Sequence, residues 1–237
     1  MNKPFQFKHF SVNQDQCAMK IGTDGVLLGA WTSIEAKPFS ILDIGAGTGV
    51  LSLMLAQRSH AQVIEALEID DQAYEQCVNN FEQSPWNDRL FCYHASLEEY
   101  AEEIDDTYDL IICNPPFYSE TYKTENSQRD LARFQDAMPF EHLLESVVTF
   151  LSENGLFSVV IPFSEEQNFI VLASKVSLFP NRITHVKGTP STNVKRSLIE
   201  FSSSKTDILT SELIIETSRH DYTEDYINLT KDFYLKM

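Results

Sequence analysis

The chain has 237 residues, 43% of them hydrophobic, and a formal charge of −17 at neutral pH. That length suits one domain with a substantial core, and no apolar run reaches the roughly 18 residues of a membrane-spanning helix. An acidic balance this strong excludes phosphate-backbone binding unless the bases are gathered locally.

The N-terminus has no apolar signal core, so secretion is not expected. Residues 1–31 read as a strand-turn-helix lead-in, with Phe7–Val12 pairing against Cys17–Ile21 and a helix over 24–32. Strands and helices then alternate. Strands are expected at 40–44, 62–68, 90–94, 108–113 and 156–161, and helices at 50–58, 71–83, 140–151 and 165–174. Asn154-Gly155 is expected to close a helix and launch the strand that begins at Leu156. Continuous apolar strands alternating with helices indicate an α/β, doubly wound, mostly parallel sheet. The segments 182–188 and 196–202 lie too close in sequence for a helical crossover, which makes them an antiparallel C-terminal hairpin. Glu212–Thr217 adds a further strand, and 223–235 reads as a C-terminal helix. With no repeat, low-complexity tract or composition shift, a single domain spanning 1–237 is expected. Cys17, Cys77, Cys92 and Cys113 show neither Cys-x-x-Cys spacing nor histidine partners. They read as small core residues of a protein in a reducing cytoplasm, with no metal site.

Three motifs carry chemistry. In Ser40-Ile41-Leu42-Asp43-Ile44-Gly45-Ala46-Gly47-Thr48-Gly49, a strand runs into a glycine-rich turn ahead of an apolar-periodic helix. Such a turn brings backbone N–H groups close to a ligand at the helix N-terminus. The spacing is Gly-x-Gly-x-Gly, not the dinucleotide pattern. The next strand ends in Glu68-Ile69-Asp70, and Glu68 lies 25 residues after Asp43, about where an acid would grip ribose hydroxyls. Finally, Tyr108–Cys113 is stopped by Asn114-Pro115-Pro116-Phe117. The prolines end the strand and supply no donors. The Asn114 amide and the Pro115 carbonyl can accept hydrogen bonds from a planar amino group, and Phe117 can stack on its ring. Each motif alone has an ordinary reading as a strand-helix turn or a turn opener; their order gives them weight.

That order resembles a class I S-adenosylmethionine-dependent methyltransferase acting on an exocyclic or amide nitrogen, on a Rossmann-like core. The stretch Gln14–Trp31, with Lys20-Ile21-Gly22-Thr23-Asp24-Gly25, resembles the bacterial tRNA1(Val) adenine-N6 methyltransferase family. Lys195–Phe201 resembles that family's late strand. The resemblance implies an enzyme that methylates the adenine 3′ of the anticodon, with S-adenosyl-L-methionine as cofactor, tRNA as partner and a monomeric state. It implies catalytic roles for Asn114, Pro115, Pro116 and Phe117. Cofactor contacts fall to Lys20, Thr23, Asp24, Asp43, Gly45, Gly47, Gly49, Glu68, Ile69 and Ser96, with residues 1–31 capping cofactor and substrate. Thr23 and Asp24 also suit helix capping. One departure concerns the cofactor adenine: Tyr93-His94-Ala95 is followed by Ser96, where this class often has an acid.

The charge distribution bears on the substrate. Residues 1–23 sum to +2 and 187–205 to +3, while the tail after 205 holds −4 and the middle −18. Lys187, Lys195 and Arg196 are therefore candidate tRNA contacts, and Glu98–Asp109 reads as a solvated acidic face. Tyr118–Met138 reads as a substrate lid or as a connector. A protein-glutamine methyltransferase would need the same planar amide site but usually has an N-terminal helical domain; here 39 residues precede the first core strand. DNA adenine methyltransferases usually carry a target-recognition domain that this sequence lacks. A non-catalytic nucleotide-binding protein on the same fold is the remaining alternative.

Overall fold

The computed structural model describes residues 3–116 and 138–237; Phe117 and the expected lid up to residue 137 lie outside them. In chain order the elements are β1 (Phe5–Gln6), β2 (Ser11–Val12), α1 (Thr23–Trp31), β3 (Ser40–Ile44), α2 (Val50–Arg58), β4 (Val63–Glu68) and α3 (Asp71–Glu82). There follow β5 (Leu90–His94), α4 (Leu97–Glu103), β6 (Tyr108–Cys113), α5 (Phe140–Phe150), β7 (Leu151–Pro162), a short 3-10 turn, and α6 (Glu166–Lys175). The chain ends with β8 (Phe179–Lys187), β9 (Arg196–Ser202), β10 (Leu209–Ile214), β11 (Glu216–Ser218), β12 (Asp221–Tyr222) and α7 (Glu224–Thr230).

One eight-stranded sheet, ordered β10-β8-β9-β7-β6-β3-β4-β5, organises these elements. The pairs from β7 to β5 are parallel, as is β10 with β8, and β9 runs antiparallel to both β7 and β8. Because side chains alternate along a strand, successive residues feed opposite cores. Ile41, Ile64, Leu110 and Ile112 pack with Leu28, Leu53 and Met54 of α1 and α2. Leu42, Ile44, Ile111 and Cys113 pack with Leu143, Val147 and Phe169 of α5 and α6. Burial on both faces explains why the strands are apolar throughout. Among the described residues no helix is long and apolar enough to cross a membrane.

The expected α/β sheet and its antiparallel β8–β9 hairpin are present, with differences. The N-terminal pairing joins Phe5–Gln6 to Ser11–Val12, not Phe7–Val12 to Cys17–Ile21. The latter segment is held at its two ends by side-chain amides, the Cys17 N–H donating to Gln76 (3.2 Å) and the Ile21 N–H to Gln14 (2.9 Å). β7 begins directly at Leu151, before Asn154-Gly155. Leu151 pairs with Tyr108 and Leu156 with Leu110, so the residues between form an irregularity in the ladder. Gly155 sits where a Cβ would lie 2.7 Å from Leu151 Cδ1 and 2.9 Å from the Tyr108 carbonyl. Glu98–Asp109, read as a solvated acidic face with no helix assigned, overlaps α4 (Leu97–Glu103), whose Ser96 and Glu99 form a reciprocal capping box.

Asp43 ties the sheet to α2 at the level of the glycine turn. Its Oδ2 accepts from the Ser52 amide (3.1 Å) and hydroxyl (2.7 Å), while its buried Oδ1 has no hydrogen-bond partner among the described residues. Burial is the main cause that pushes its carboxyl up to about 7, against the lowering effect of the Ser52 bonds, with the Glu68 charge adding to the rise. A carboxyl with a raised folded pKa binds its proton more tightly in the folded state. Its contribution to stability is therefore present at low pH and is lost as pH rises from the unfolded value of 3.8 through about 7. We expect Asp43→Asn, which cannot ionise, to gain melting temperature relative to wild type between about pH 5 and pH 8. Melts followed by circular dichroism at both pH values check this; a variant-minus-wild-type difference independent of pH would show that Asp43 does not carry the slope.

Candidate active site

Strand register assembles the site. Ile44 pairs with Leu67 on one side and with Cys113 on the other, so Gly45, Glu68 and Asn114 emerge side by side at the carboxyl edge. The chain goes from β3 outward to β4 and β5, then returns to β3's opposite side as β6. This reversal of strand order is where open α/β sheets form their ligand crevice. The antiparallel β9 starts at the same edge, because Arg196 pairs with Pro162 at the end of β7.

The crevice is a cavity of about 280 Å³. Gly45 and Gly47 of the turn, Asn114 and Pro115 after β6, and the bases Lys20 and Arg196 all line it. Gly45 and Gly47 have φ of +71° and +54°, and a Cβ built on either would meet no atom within 4 Å. Their side-chain directions therefore face open space. Gly49 differs. Its φ is +76°, but a Cβ there would lie 2.5 Å from Phe81 Cε1 and 2.8 Å from Cys77 Sγ. It packs the turn onto α3, away from the cavity. Asn114 is half-buried and Pro115 buried; the Asn114 Nδ2 lies 3.8 Å from where a Cβ of Gly25 would stand, so α1 packs at ordinary contact distance from this amide.

Glu68 is buried and engaged with backbone. Its Oε2 accepts from the Gly47 amide (2.7 Å), and its Oε1 accepts from the amides of Ile69 and Asp70 (2.9 Å each). Three of about four acceptor positions are thus used. Ile69 is 66% exposed beside it, and its carbonyl lies 3.0 Å from His94 Nε2. Ser96 caps α4. Thr23 does not line the crevice; it opens α1 and faces a neighbouring cavity. The N-cap of α1 is Gly22, without a side-chain cap, so Thr23 and Asp24 do not cap that helix.

Two residues on α3 that the sequence did not flag hold the lead-in over the glycine turn. Asn80 Oδ1 accepts from the Asn13 amide (2.8 Å), and its Nδ2 donates to the carbonyls of Asn13 (3.0 Å) and Thr48 (2.9 Å). Gln76 accepts from the amides of Gln16 (3.0 Å) and Cys17 (3.2 Å) and donates to Asp15 (2.8 Å). Their spacing of four places both on one face of α3, and polar residues on an otherwise buried helix face were the available signal. Burial, followed by the charges of Glu68, Asp70 and Asp15, pushes the Cys17 thiol up to about 12, which keeps it neutral beside the acids.

Of the three bases expected beside the cleft, Arg196 lines the crevice, and two of the three are paired. Lys187 Nζ lies 2.7 Å from Glu212, and Arg196 Nε lies 2.8 Å from Asp24. The second pair joins β9 to α1 across the cavity margin. Lys195 is exposed, with no carboxylate at ion-pair distance among the described residues.

Comparison with known proteins shows the family and the fold. Residues 25–162 match the family described as Methyltransferase small domain. The sequence is 63% identical to the tRNA1(Val) (adenine(37)-N6)-methyltransferase of Flavobacterium psychrophilum, over 98% of this chain and 100% of that protein. It is 41% identical to the protein of that name from Aliivibrio salmonicida, over the full length of both. Among solved structures, a predicted O-methyltransferase from Agrobacterium tumefaciens superposes with a TM-score of 0.69, covering 89% of this chain and 96% of that one; at 19% identity this speaks for the fold alone. The chain is a methyltransferase and belongs to the tRNA1(Val) (adenine(37)-N6)-methyltransferase family.

Proposed function

We propose that this protein methylates the N6 amino group of adenine 37 in tRNA1(Val), as its relatives are named for doing, with S-adenosyl-L-methionine as methyl donor. The observation that carries the reading is one crevice in which an open glycine cradle faces the Asn114–Pro115 edge. When bound, S-adenosyl-L-methionine supplies a methyl group already activated on a sulfonium. The cradle suits it: Gly45 and Gly47 leave space where any other residue would place a Cβ. Glu68 has acceptor capacity left for a ribose hydroxyl, the exposed Ile69 offers an apolar face for a base, and Lys20 borders the crevice toward a carboxylate.

On the acceptor side, an adenine amino nitrogen is a poor nucleophile because its lone pair is delocalised into the ring. The Asn114 side-chain oxygen and the Pro115 carbonyl accept its two hydrogens, favour a more pyramidal nitrogen and stabilise the positive charge that develops on attack. A loop adenine costs less to unstack than one in a duplex, which fits an anticodon loop. The purified protein with labelled S-adenosyl-L-methionine should label tRNA, and nucleoside mass analysis should find N6-methyladenosine. Label in protein or DNA alone would replace the substrate.

Three outcomes separate the roles. Asn114→Ala should lower turnover about 10²–10³-fold with cofactor affinity nearly intact in calorimetry; near-normal turnover would remove Asn114 from the chemistry. Gly47→Ala should abolish cofactor binding while costing roughly 1–2 kcal/mol of stability for its left-handed backbone. Gly49→Ala should instead cost a further ~1–3 kcal/mol by overpacking against Phe81 and Cys77; equal melting temperatures for the two variants would refute the division. Lys195→Ala should flatten the slope of log tRNA affinity against log salt by about 0.7–0.9, the effect of one lost phosphate contact. Lys187→Ala should change that slope less, because its ammonium is already paired. An unchanged slope for Lys195→Ala would take it out of the interface.

A further inference from the structure

A second cavity, of about 650 Å³, opens beside the crevice where the N-terminal lead-in meets the C-terminal segment. Its walls carry four aromatic rings, those of Phe5, Tyr222, Tyr226 and Tyr234. Phe5 and Tyr234 meet edge to face at 6.3 Å, and Tyr222 and Tyr226 are tilted at 5.3 Å, so the rings form two pairs. Tyr226 is buried and fixes its pair in place, while Phe5, Tyr222 and Tyr234 are half-buried and keep part of their surface toward the space. Ile21 and Gly22 line both cavities. They form a ridge with the glycine cradle and Asn114 on one side and the aromatic walls on the other.

We propose that this aromatic cleft receives an unpaired nucleotide adjacent to the target adenine, held by base stacking; the proposal rests on the tRNA reading above. An adenine drawn into the Asn114 crevice leaves its stack, and its neighbour in the strand loses a stacking partner. A second set of rings one ridge away supplies a replacement, as in proteins that bind single strands through aromatic platforms. The charges in the cleft favour a base over a phosphate. Glu216 and Lys236 both line it, so it presents no single-sign field to an anion, and the carboxylate opposes a phosphate directly. Continuity with the crevice argues for the same strand of RNA over an unrelated ligand.

The test uses the whole protein and full-length tRNA1(Val), intact or with an abasic residue on either side of adenine 37. With wild-type protein, removing the stacked base should raise KM about 5- to 150-fold, the range expected for one base-aromatic contact, with kcat less affected. In Tyr222→Leu, which keeps apolar bulk but not a flat ring, KM for intact tRNA should rise by a similar factor, and base removal should add nothing. Tyr222→Phe should behave as wild type, and cofactor affinity should not move in either variant. The proposal is overturned if neither abasic tRNA differs from intact tRNA, or if Tyr222→Leu and base removal act additively, which would mark Tyr222 as a structural residue only. Should wild-type protein fail to methylate intact tRNA, the substrate reading falls first and this inference with it, before any variant is compared.

Discussion

Ile44, Leu67 and Cys113 stand abreast in three parallel strands, and that register decides where chemistry can occur in this protein. Each next residue along the chain, Gly45, Glu68 or Asn114, leaves the sheet at the same edge. Slipping β6 by one residue against β3 would turn every side chain to the opposite face and move Asn114 out of line with the cradle. The slip is opposed by both cores at once, because Ile112 belongs to one and Cys113 to the other. The apolar run that reads as a buried strand is thus also the device that aims an amide at the crevice.

The glycine turn is held before any ligand arrives. Glu68 accepts the Gly47 amide, Asn80 donates to the Thr48 carbonyl, and the Gly45 and Ala46 amides donate to the Leu67 carbonyl at 3.0 and 2.9 Å. A loop fixed in this way loses little freedom on binding, which leaves more of the contact energy for affinity. Asp43 bears part of the cost. Its Oδ1 is buried without a partner among the described residues and its pKa is pushed up to about 7, a burden tolerated at the point where β3, α2 and the turn converge.

Much of this was legible because it is local. Continuous apolar strands, a glycine-rich turn and a double proline each state their structure within a few residues, and β3, β5, β6, α2 and β9 lie where those signals put them. What failed was set by distant partners. Cys17–Ile21 has the composition of a strand, but the start of this segment is secured by Gln76, 59 residues away in sequence from Cys17, and by Asn80 upstream of it. The Asp24–Arg196 pair spans 172 residues, and nothing near either residue announces it. The parallel placement of β10 beside β8 is likewise invisible to periodicity. The α4 capping box is the exception, a local signal that the charge of its neighbours concealed.

The acidity of the chain and its place among tRNA methyltransferases are compatible because charge acts locally. At an ionic strength near 0.15 M exposed charges are screened beyond about 8 Å, so the acids that bear on the crevice are those standing at it, Asp24 in its lining and Glu68 bonded to Gly47, and not the summed charge of the chain. What matters is which bases reach the carboxyl edge and whether they are already neutralised. Lys20, Lys195 and Arg196 arrive there by three different routes, from the lead-in, from the β8–β9 connection and from the first residue of an antiparallel strand. Arg196 does so in contact with Asp24, which ties the start of β9 to the first turn of α1, the turn whose Gly25 packs against Asn114.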